Sequence, residues 1–279
     1  MRNGELFSYV KSTLERGGIE NAYFEANQLF QGAEIKMTDL FSEPRSEVDE
    51  AVFAKISALL DRRLSGEPLQ YILGEWEFYG LPFLMGEGVL IPRQDTETLA
   101  EVCLRFLNER LQSERKTLDL CAGSGCIGIT LAKLAGAEVT LVEKSEAAFE
   151  YLRKNIEHHR ASVEAVLGDA LEENTVQGEY NLIVSNPPYL NDSDMRSLQR
   201  EVEFEPREAL YGGADGLDFY SSIISIYPRK LKIGGMLAVE IGMGQEEAVG
   251  KLFRENGIEP RFETDMRGIY RVVWGIKPD

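Results

Sequence analysis

Residues 185–190 read Ser-Asn-Pro-Pro-Tyr-Leu and follow the apolar run Tyr-Asn-Leu-Ile-Val at 180–184. Two prolines cannot donate to a strand ladder, and each fixes its own φ. The segment therefore reads as a rigid turn leaving a buried strand. Its chemistry follows from the side chains. The Asn186 amide oxygen can accept a hydrogen bond from an –NH₂ group. Pro187 can aim its own backbone carbonyl at the second N–H, with Pro188 stiffening the turn. Tyr189 offers a ring on which a planar group can stack. The four residues suit a flat, conjugated, NH₂-bearing group: a carboxamide or the exocyclic amine of a base. The nitrogen of such a group is a poor nucleophile because its lone pair is delocalised. Holding both N–H groups fixes it and favours localisation of the lone pair toward an electrophile. Positioning of this kind is worth about 7–11 kcal/mol when the geometry is near attack. No histidine or cysteine base is needed.

A second cluster lies upstream. Cys-Ala-Gly-Ser-Gly-Cys-Ile-Gly (121–128) contains G-x-G-x-x-G at Gly123, Gly125 and Gly128. Glycines after a strand let the backbone turn tightly toward a ligand at the N-terminus of the next helix. Cys121, Ala122 and Ser124 share that loop. Glu143 ends the following strand, where a carboxylate can take both ribose hydroxyls. Asp169 ends the strand after that, placed for an adenine amino group, with Ala170 beside it. The set points to an adenosine-containing cofactor and leaves NAD and S-adenosylmethionine open. The amide clamp at 186–189 favours the methyl donor, with Asn186 bordering cofactor as well as substrate.

These residues need a scaffold that gathers strand ends. From Lys116 onward strands and helices alternate, as in a parallel sheet with crossover helices. Strands are expected at 116–120, 137–143, 161–169, 180–186 and 234–242. The C-terminal stretch 260–276 supplies two more, joined as an antiparallel hairpin. In such a sheet, ligands bind beyond the carboxyl ends of the strands. Before it, residues 1–75 read as helices. Ser46 with Asp49 suggests a capping box opening a helix whose stripe is Val48, Val52, Ile56, Leu59 and Leu60. Residues 76–94, rich in aromatics and glycine, form a hairpin-like connector. The catalytic domain spans 95–279, starting with a helix near Asp95.

Composition narrows the function. The 279 residues carry 47 acidic and 30 basic side chains, a formal charge of −17. A duplex-binding protein needs a basic footprint, so direct nucleic-acid binding is disfavoured. The two histidines, His158 and His159, are adjacent and share no helix face, so they are expected to be a solvated pair. No metal site is expected, and Ser-His-Asp catalysis lacks its residues. Three cysteines are too few for a disulfide framework; Cys121 and Cys126 are expected to be packing residues. No apolar run is long enough for a membrane span, and the N-terminus lacks a secretory pattern. A cytoplasmic monomer is expected. Asp119 could fix the glycine loop or contact a methionine amino group. Arg93 and Glu97 could shape the cofactor entrance or brace the connector.

The chain closely resembles the HemK/PrmC family, the peptide chain release factor glutamine methyltransferases. The likeness runs through Pro-Leu-Gln-Tyr-Ile-Leu-Gly-Glu-Trp-Glu-Phe-Tyr-Gly (68–80), Val-Leu-Ile-Pro-Arg-Gln-Asp-Thr-Glu-Thr-Leu (89–99), the glycine loop, Asn-Pro-Pro-Tyr, Phe-Glu-Pro-Arg-Glu-Ala-Leu-Tyr-Gly-Gly-Ala-Asp-Gly-Leu (204–217) and Val-Glu-Ile-Gly-Met-Gly-Gln (239–245). Gln94, Ala122, Glu143 and Ala170 depart from the family's usual residues. The resemblance implies an α/β class I S-adenosylmethionine-dependent methyltransferase: a Rossmann-like seven-stranded mixed sheet with a small all-helical N-terminal domain. It implies methylation of the side-chain nitrogen of the glutamine in the Gly-Gly-Gln motif of class 1 release factors, with the helical domain engaging the release factor. Alternatives are a ribosomal-protein glutamine, a DNA amino group, or a non-catalytic nucleotide-binding module. The last leaves Asn-Pro-Pro-Tyr unexplained.

Overall fold

The computed structural model describes residues 1–279 and divides into two units, Met1–Glu75 with Gln199–Phe204, and Trp76–Leu198 with Glu205–Asp279. The first unit holds five helices: α1 (Asn3–Arg16), α2 (Ala22–Gly32), α3 (Met37–Ser42), α4 (Glu50–Leu64) and α5 (Leu69–Leu73). Helical spacing puts Leu6, Val10 and Leu14 of α1 on one buried stripe, joined by Ala26, Leu29 and Phe30 of α2 and by Ile56 and Leu60 of α4. α4 starts later than the sequence pattern suggested. Asp49 is its N-cap, accepting from Ala51 N (2.9 Å) and Val52 N (3.3 Å), whereas the Ser46 hydroxyl bonds Glu43. Val48 thus precedes the helix. Arg63 at the end of α4 is 2% exposed. It is held by both oxygens of Glu25, at 2.6 and 3.0 Å, and by Glu201 of the 199–204 segment.

The second unit opens with a two-stranded sheet, β1 (Glu75–Phe78) and β2 (Leu81–Leu84). It continues with α6 (Thr96–Asn108), β3 (Lys116–Leu120), α7 (Cys126–Ala135), β4 (Glu138–Glu143), α8 (Glu146–His159), β5 (Val163–Leu167), β6 (Tyr180–Ser185), α9 (Asp218–Ile226), β7 (Leu231–Glu240), α10 (Glu246–Glu255), β8 (Arg261–Thr264) and β9 (Tyr270–Ile276). Seven strands pair in the order β5-β4-β3-β6-β7-β9-β8. β3 to β7 run parallel, and β9 is antiparallel to both β7 and β8. The sheet is that of a class I S-adenosylmethionine-dependent methyltransferase fold. All strands expected from the alternation of sequence pattern are present.

Strand parity decides which helices pack where. Leu118, Leu120, Ile183, Leu237 and Val239 share a core with Tyr220, Ile223 and Ile224 of α9 and Val249 and Phe253 of α10. The residues between them point the other way. Asp119, Val139 and Leu141 meet α7 at Gly128, where a Cβ would come within 2.6 Å of Leu141 and 2.9 Å of Asp119. Only glycine lets the helix lie this close. The order reverses between β3 and β6, the place where open α/β sheets hold ligands. Register brings Leu120 level with Val142 and with Ser185, and Glu143 level with Leu167. The loops after β3, β4, β5 and β6 therefore emerge side by side. No helix is long and apolar enough to cross a membrane.

Candidate functional site

Those four loops border a cavity of about 350 Å³. Cys121 and Gly123 after β3, Glu143 at the end of β4, Asp169 and Ala170 after β5, and Asn186 and Pro188 after β6 all contribute to its wall. Ala122, Ser124, Gly125, Pro187 and Tyr189 do not. Ser124 instead gives its carbonyl to Asn155 Nδ2 (2.9 Å), and Gly125 is the N-cap of α7; both shape the loop from behind. The rest of the wall is mostly apolar, including Leu90, Val142, Ala148 and Phe219.

The loop is locked from its back. Asp119 is fully buried, and its Oδ2 accepts from Gly128 N at 2.8 Å while Oδ1 has no partner. Burial raises its pKa to about 7, against the pull of the Gly128 N–H and with a further push from Glu143. Of the two roles open to Asp119, the structure shows the loop contact. Gly123 sits at φ +55 with empty space where a Cβ would stand, so backbone is offered to the cavity without obstruction.

Glu143 is 9% exposed, and one oxygen accepts from Gly123 N (2.8 Å), the other from Ser145 N (2.7 Å). Burial raises its pKa despite these donors. A carboxylate has about four lone-pair sites, so each oxygen can still accept from a ligand hydroxyl. Asp169 stands in the cavity wall as expected, with both oxygens already engaged. Its Oδ2 is paired with Lys144 Nζ at 2.7 Å and its Oδ1 accepts from Leu171 N at 2.9 Å. Burial works against ionisation, but Lys144 and the N–H outweigh it and the pKa is lowered. Lys144 escaped the sequence reading, although it directly follows Glu143.

Asn186 Nδ2 donates to Thr96 Oγ1 of α6 at 3.2 Å, which turns Oδ1 away as a free acceptor. Pro187 is buried, and its carbonyl accepts no backbone N–H. Tyr189 lines a neighbouring cavity, with Asn191, Gly242, Gln245 and Arg271, and its hydroxyl donates to Glu240 Oε1 at 3.3 Å. The segment Asn186–Tyr189 thus forms a wall common to two cavities.

Other expected residues fall outside the site. Arg93 pairs with Glu205, whose second oxygen accepts from Ile91 N (3.0 Å), and Glu97 accepts from Tyr79 N (2.7 Å). Both brace the connector. His159 is not a solvated partner of His158: it is half-buried, bonds Pro82 O at 2.7 Å and packs on Phe83. Cys126 is buried, and burial followed by the Asp119 charge pushes its thiol up to about 12. Burial also raises Cys121. Neither thiol is an ionised nucleophile. Sequence reasoning also missed Leu90, Pro206, Ala209 and Phe219, which reach the cavity from distant segments. Their only signal was membership of the connector and post-186 stretches.

Comparison with known proteins gives concordant matches. Residues 5–74 match the family described as PrmC N-terminal domain, and residues 96–207 the Methyltransferase small domain. A release factor glutamine methyltransferase of Geobacter sulfurreducens is 41% identical over 97% of this chain and 95% of its own. One from Fusobacterium nucleatum is 37% identical over 91% of this chain and 73% of its own. Among solved structures, a methyltransferase from Pyrococcus furiosus aligns with a TM-score of 0.55 at 20% identity, covering 72% of this chain and 91% of that one; it speaks to the fold alone.

Proposed function

This chain belongs to the release factor glutamine methyltransferase family, and on that premise we propose that its larger cavity holds S-adenosylmethionine while Asn186–Tyr189 clamps the target glutamine. The enzyme is a protein-(glutamine-N5) methyltransferase. The residues present fit the cofactor. Glu143 retains lone pairs for ribose hydroxyls, Gly123 leaves room for close approach, and Leu90, Val142, Ala170 and Phe219 make an apolar wall for a purine. Cys121, Ala122, Ser124 and Gly125 complete the loop, and Asp169, with Lys144, borders the base end. When bound, the cofactor supplies a sulfonium methyl group.

The protein's part is positioning. Asn186 Oδ1 and the Pro187 carbonyl accept the two N–H groups of the glutamine amide, holding its nitrogen at the wall between the cavities. Pro188 stiffens the turn, and Tyr189 packs on the amide plane from the substrate side. Two acceptors on one –NH₂ favour a lone pair directed at the methyl group, and fixed geometry lowers the barrier by about 7–11 kcal/mol. The observation that carries this reading is the Asn186 amide, turned by Thr96 so that its oxygen is the free group.

The glutamine is that of the Gly-Gly-Gln motif of class 1 release factors, and the helical unit engages the factor. We further propose that the enzyme works as a cytoplasmic monomer; its charge of −17 supports the absence of direct contact to nucleic acid. Radiolabelled S-adenosylmethionine, offered with a release factor, its Gln→Ala motif variant, ribosomal protein and duplex DNA, tests the assignment. Label is expected on the intact factor only, and Asn186→Ala is expected to remove it. Label on ribosomal protein or DNA alone would overturn the substrate.

A further inference from the structure

Glu240 ends β7 and is 1% exposed, yet it lines neither cavity. Val239 pairs with Ser185 across β6 and β7, so Glu240 stands level with Asn186. Its flanking residues, Val239 and Ile241, are fully buried and apolar. A carboxyl in such surroundings is costly unless its partners repay it. Oε1 accepts the Tyr189 hydroxyl, and Oε2 has no hydrogen-bond partner. The Thr96 hydroxyl also stands beside this carboxyl, with the charges of Arg271 and Asp95 acting on it in opposite senses. The same hydroxyl accepts from Asn186 Nδ2 at 3.2 Å. One buried carboxyl therefore stands behind both the ring and the amide of the clamp.

The main chain is held separately. Gln245 Nε2 donates to the Tyr189 carbonyl at 3.1 Å, while its Oε1 accepts from Gly242 N (2.9 Å) and the Tyr220 hydroxyl (3.2 Å). With the backbone fixed this way, the freedom left to Asn186 and Tyr189 is side-chain rotation, and Glu240 is placed to remove it.

We propose that Glu240 is a positioning residue for methyl transfer, orienting Asn186 through Thr96 and the Tyr189 ring through its hydroxyl. The inference rests on the clamp reading above. It predicts an effect on turnover rather than on cofactor binding, because Glu240 does not reach the cofactor cavity.

The test compares Glu240→Ala, Glu240→Gln, Tyr189→Phe, Asn186→Ala and the Tyr189→Phe/Glu240 double variants. Steady-state kcat and KM for the release factor are measured together with the equilibrium affinity for S-adenosylhomocysteine. Misplacement of a reacting group by about 1 Å costs about 100-fold, and Glu240→Ala is expected to lose kcat on that scale with cofactor affinity unchanged. Glu240→Gln keeps an acceptor oxygen and is expected to recover much of the loss. The losses of Tyr189→Phe and Glu240→Ala are expected to be less than multiplicative, since both break one contact. An undiminished kcat in Glu240→Ala, strictly multiplicative losses, or a loss traced to cofactor affinity would each overturn the inference. Should the alanine variant not fold, the cycle of Glu240→Gln with Tyr189→Phe decides by the same criterion. Asn186→Ala separates the two levels. If it keeps full kcat, the clamp reading fails; if it is inactive while Glu240→Ala turns over normally, only the role of Glu240 fails.

Discussion

Replacing Asp119 by asparagine should make the protein more stable at pH 8, although it removes a residue from the heart of the glycine loop. Asp119 is fully buried, uses one oxygen for Gly128 N, and leaves the other unpartnered. Burial raises its pKa from 3.8 to about 7. The folded protein thus binds this proton more tightly than the unfolded chain. Between about pH 4 and 7 the folded state holds more protons, so stability falls as pH rises through the window and is lowest above it. Each pKa unit corresponds to about 1.4 kcal/mol, which puts the pH-dependent contribution on the order of 4 kcal/mol. Asparagine keeps the acceptor for Gly128 and carries no charge at any pH. Glu240, raised to about 7 by burial, superposes a slope of the same sign, so the quantity to measure is the difference between variant and wild type. Urea denaturation from pH 4 to 8 should show Asp119→Asn gaining on wild type as pH rises. A difference that stays flat would refute the reasoning: it would mean that Asp119 ionises as freely in the folded protein as in the unfolded chain.

Three other substitutions probe the scaffold. Gly128→Ala drives a Cβ to 2.6 Å from Leu141 and 2.9 Å from Asp119, and overpacking of this kind should cost about 1–3 kcal/mol in thermal or urea denaturation. Glu143→Ala removes the acceptor shared by Gly123 and Ser145; with charge-assisted hydrogen bonds worth about 1.5–3 kcal/mol, S-adenosylhomocysteine affinity measured calorimetrically should fall at least tenfold. Arg63→Ala leaves Glu25, 14% exposed, without its two-pronged partner and should destabilise the helical unit by about 3–5 kcal/mol, seen as an early transition in circular dichroism.

What the sequence disclosed and what it withheld follow from the range of the interactions. The strands could be read because β-branched runs report local burial, and the Asn-Pro-Pro-Tyr turn because proline rigidity is a property of the residues themselves. α3 went unread because six residues carry too little periodicity. The start of α4 was displaced because Ser46 and Asp49 are both good caps, and only folding chose between them. His159 looked solvated because its partner, Pro82, lies 77 residues away. Separation likewise hid the contact of Asn186 with Thr96, 90 residues away, and the level placement of Glu240: three residues from three elements have no common motif until the sheet brings β6 and β7 into register.

The makeup of this site explains why its supports matter as much as its contacts. Neither histidine lies in the cavity, the nearby thiols are held protonated by burial, and the Glu143 and Asp169 carboxylates in its wall are already engaged by backbone N–H groups and Lys144. An amide nitrogen would gain little from a base, because its weakness is delocalisation rather than a bound proton; once methylated, it is acidic enough to lose the proton unaided. The rate must then come from where the nitrogen is held and how its lone pair points. On the clamp proposed here, both depend on Asn186–Tyr189, which other side chains hold in turn: Thr96 for the Asn186 amide, Gln245 for the Tyr189 carbonyl, and Glu240 for the Tyr189 hydroxyl. A catalyst that works by geometry concentrates its sensitivity to mutation in such residues. On the role proposed for Glu240, that gives a physical reason for a carboxyl buried between Val239 and Ile241.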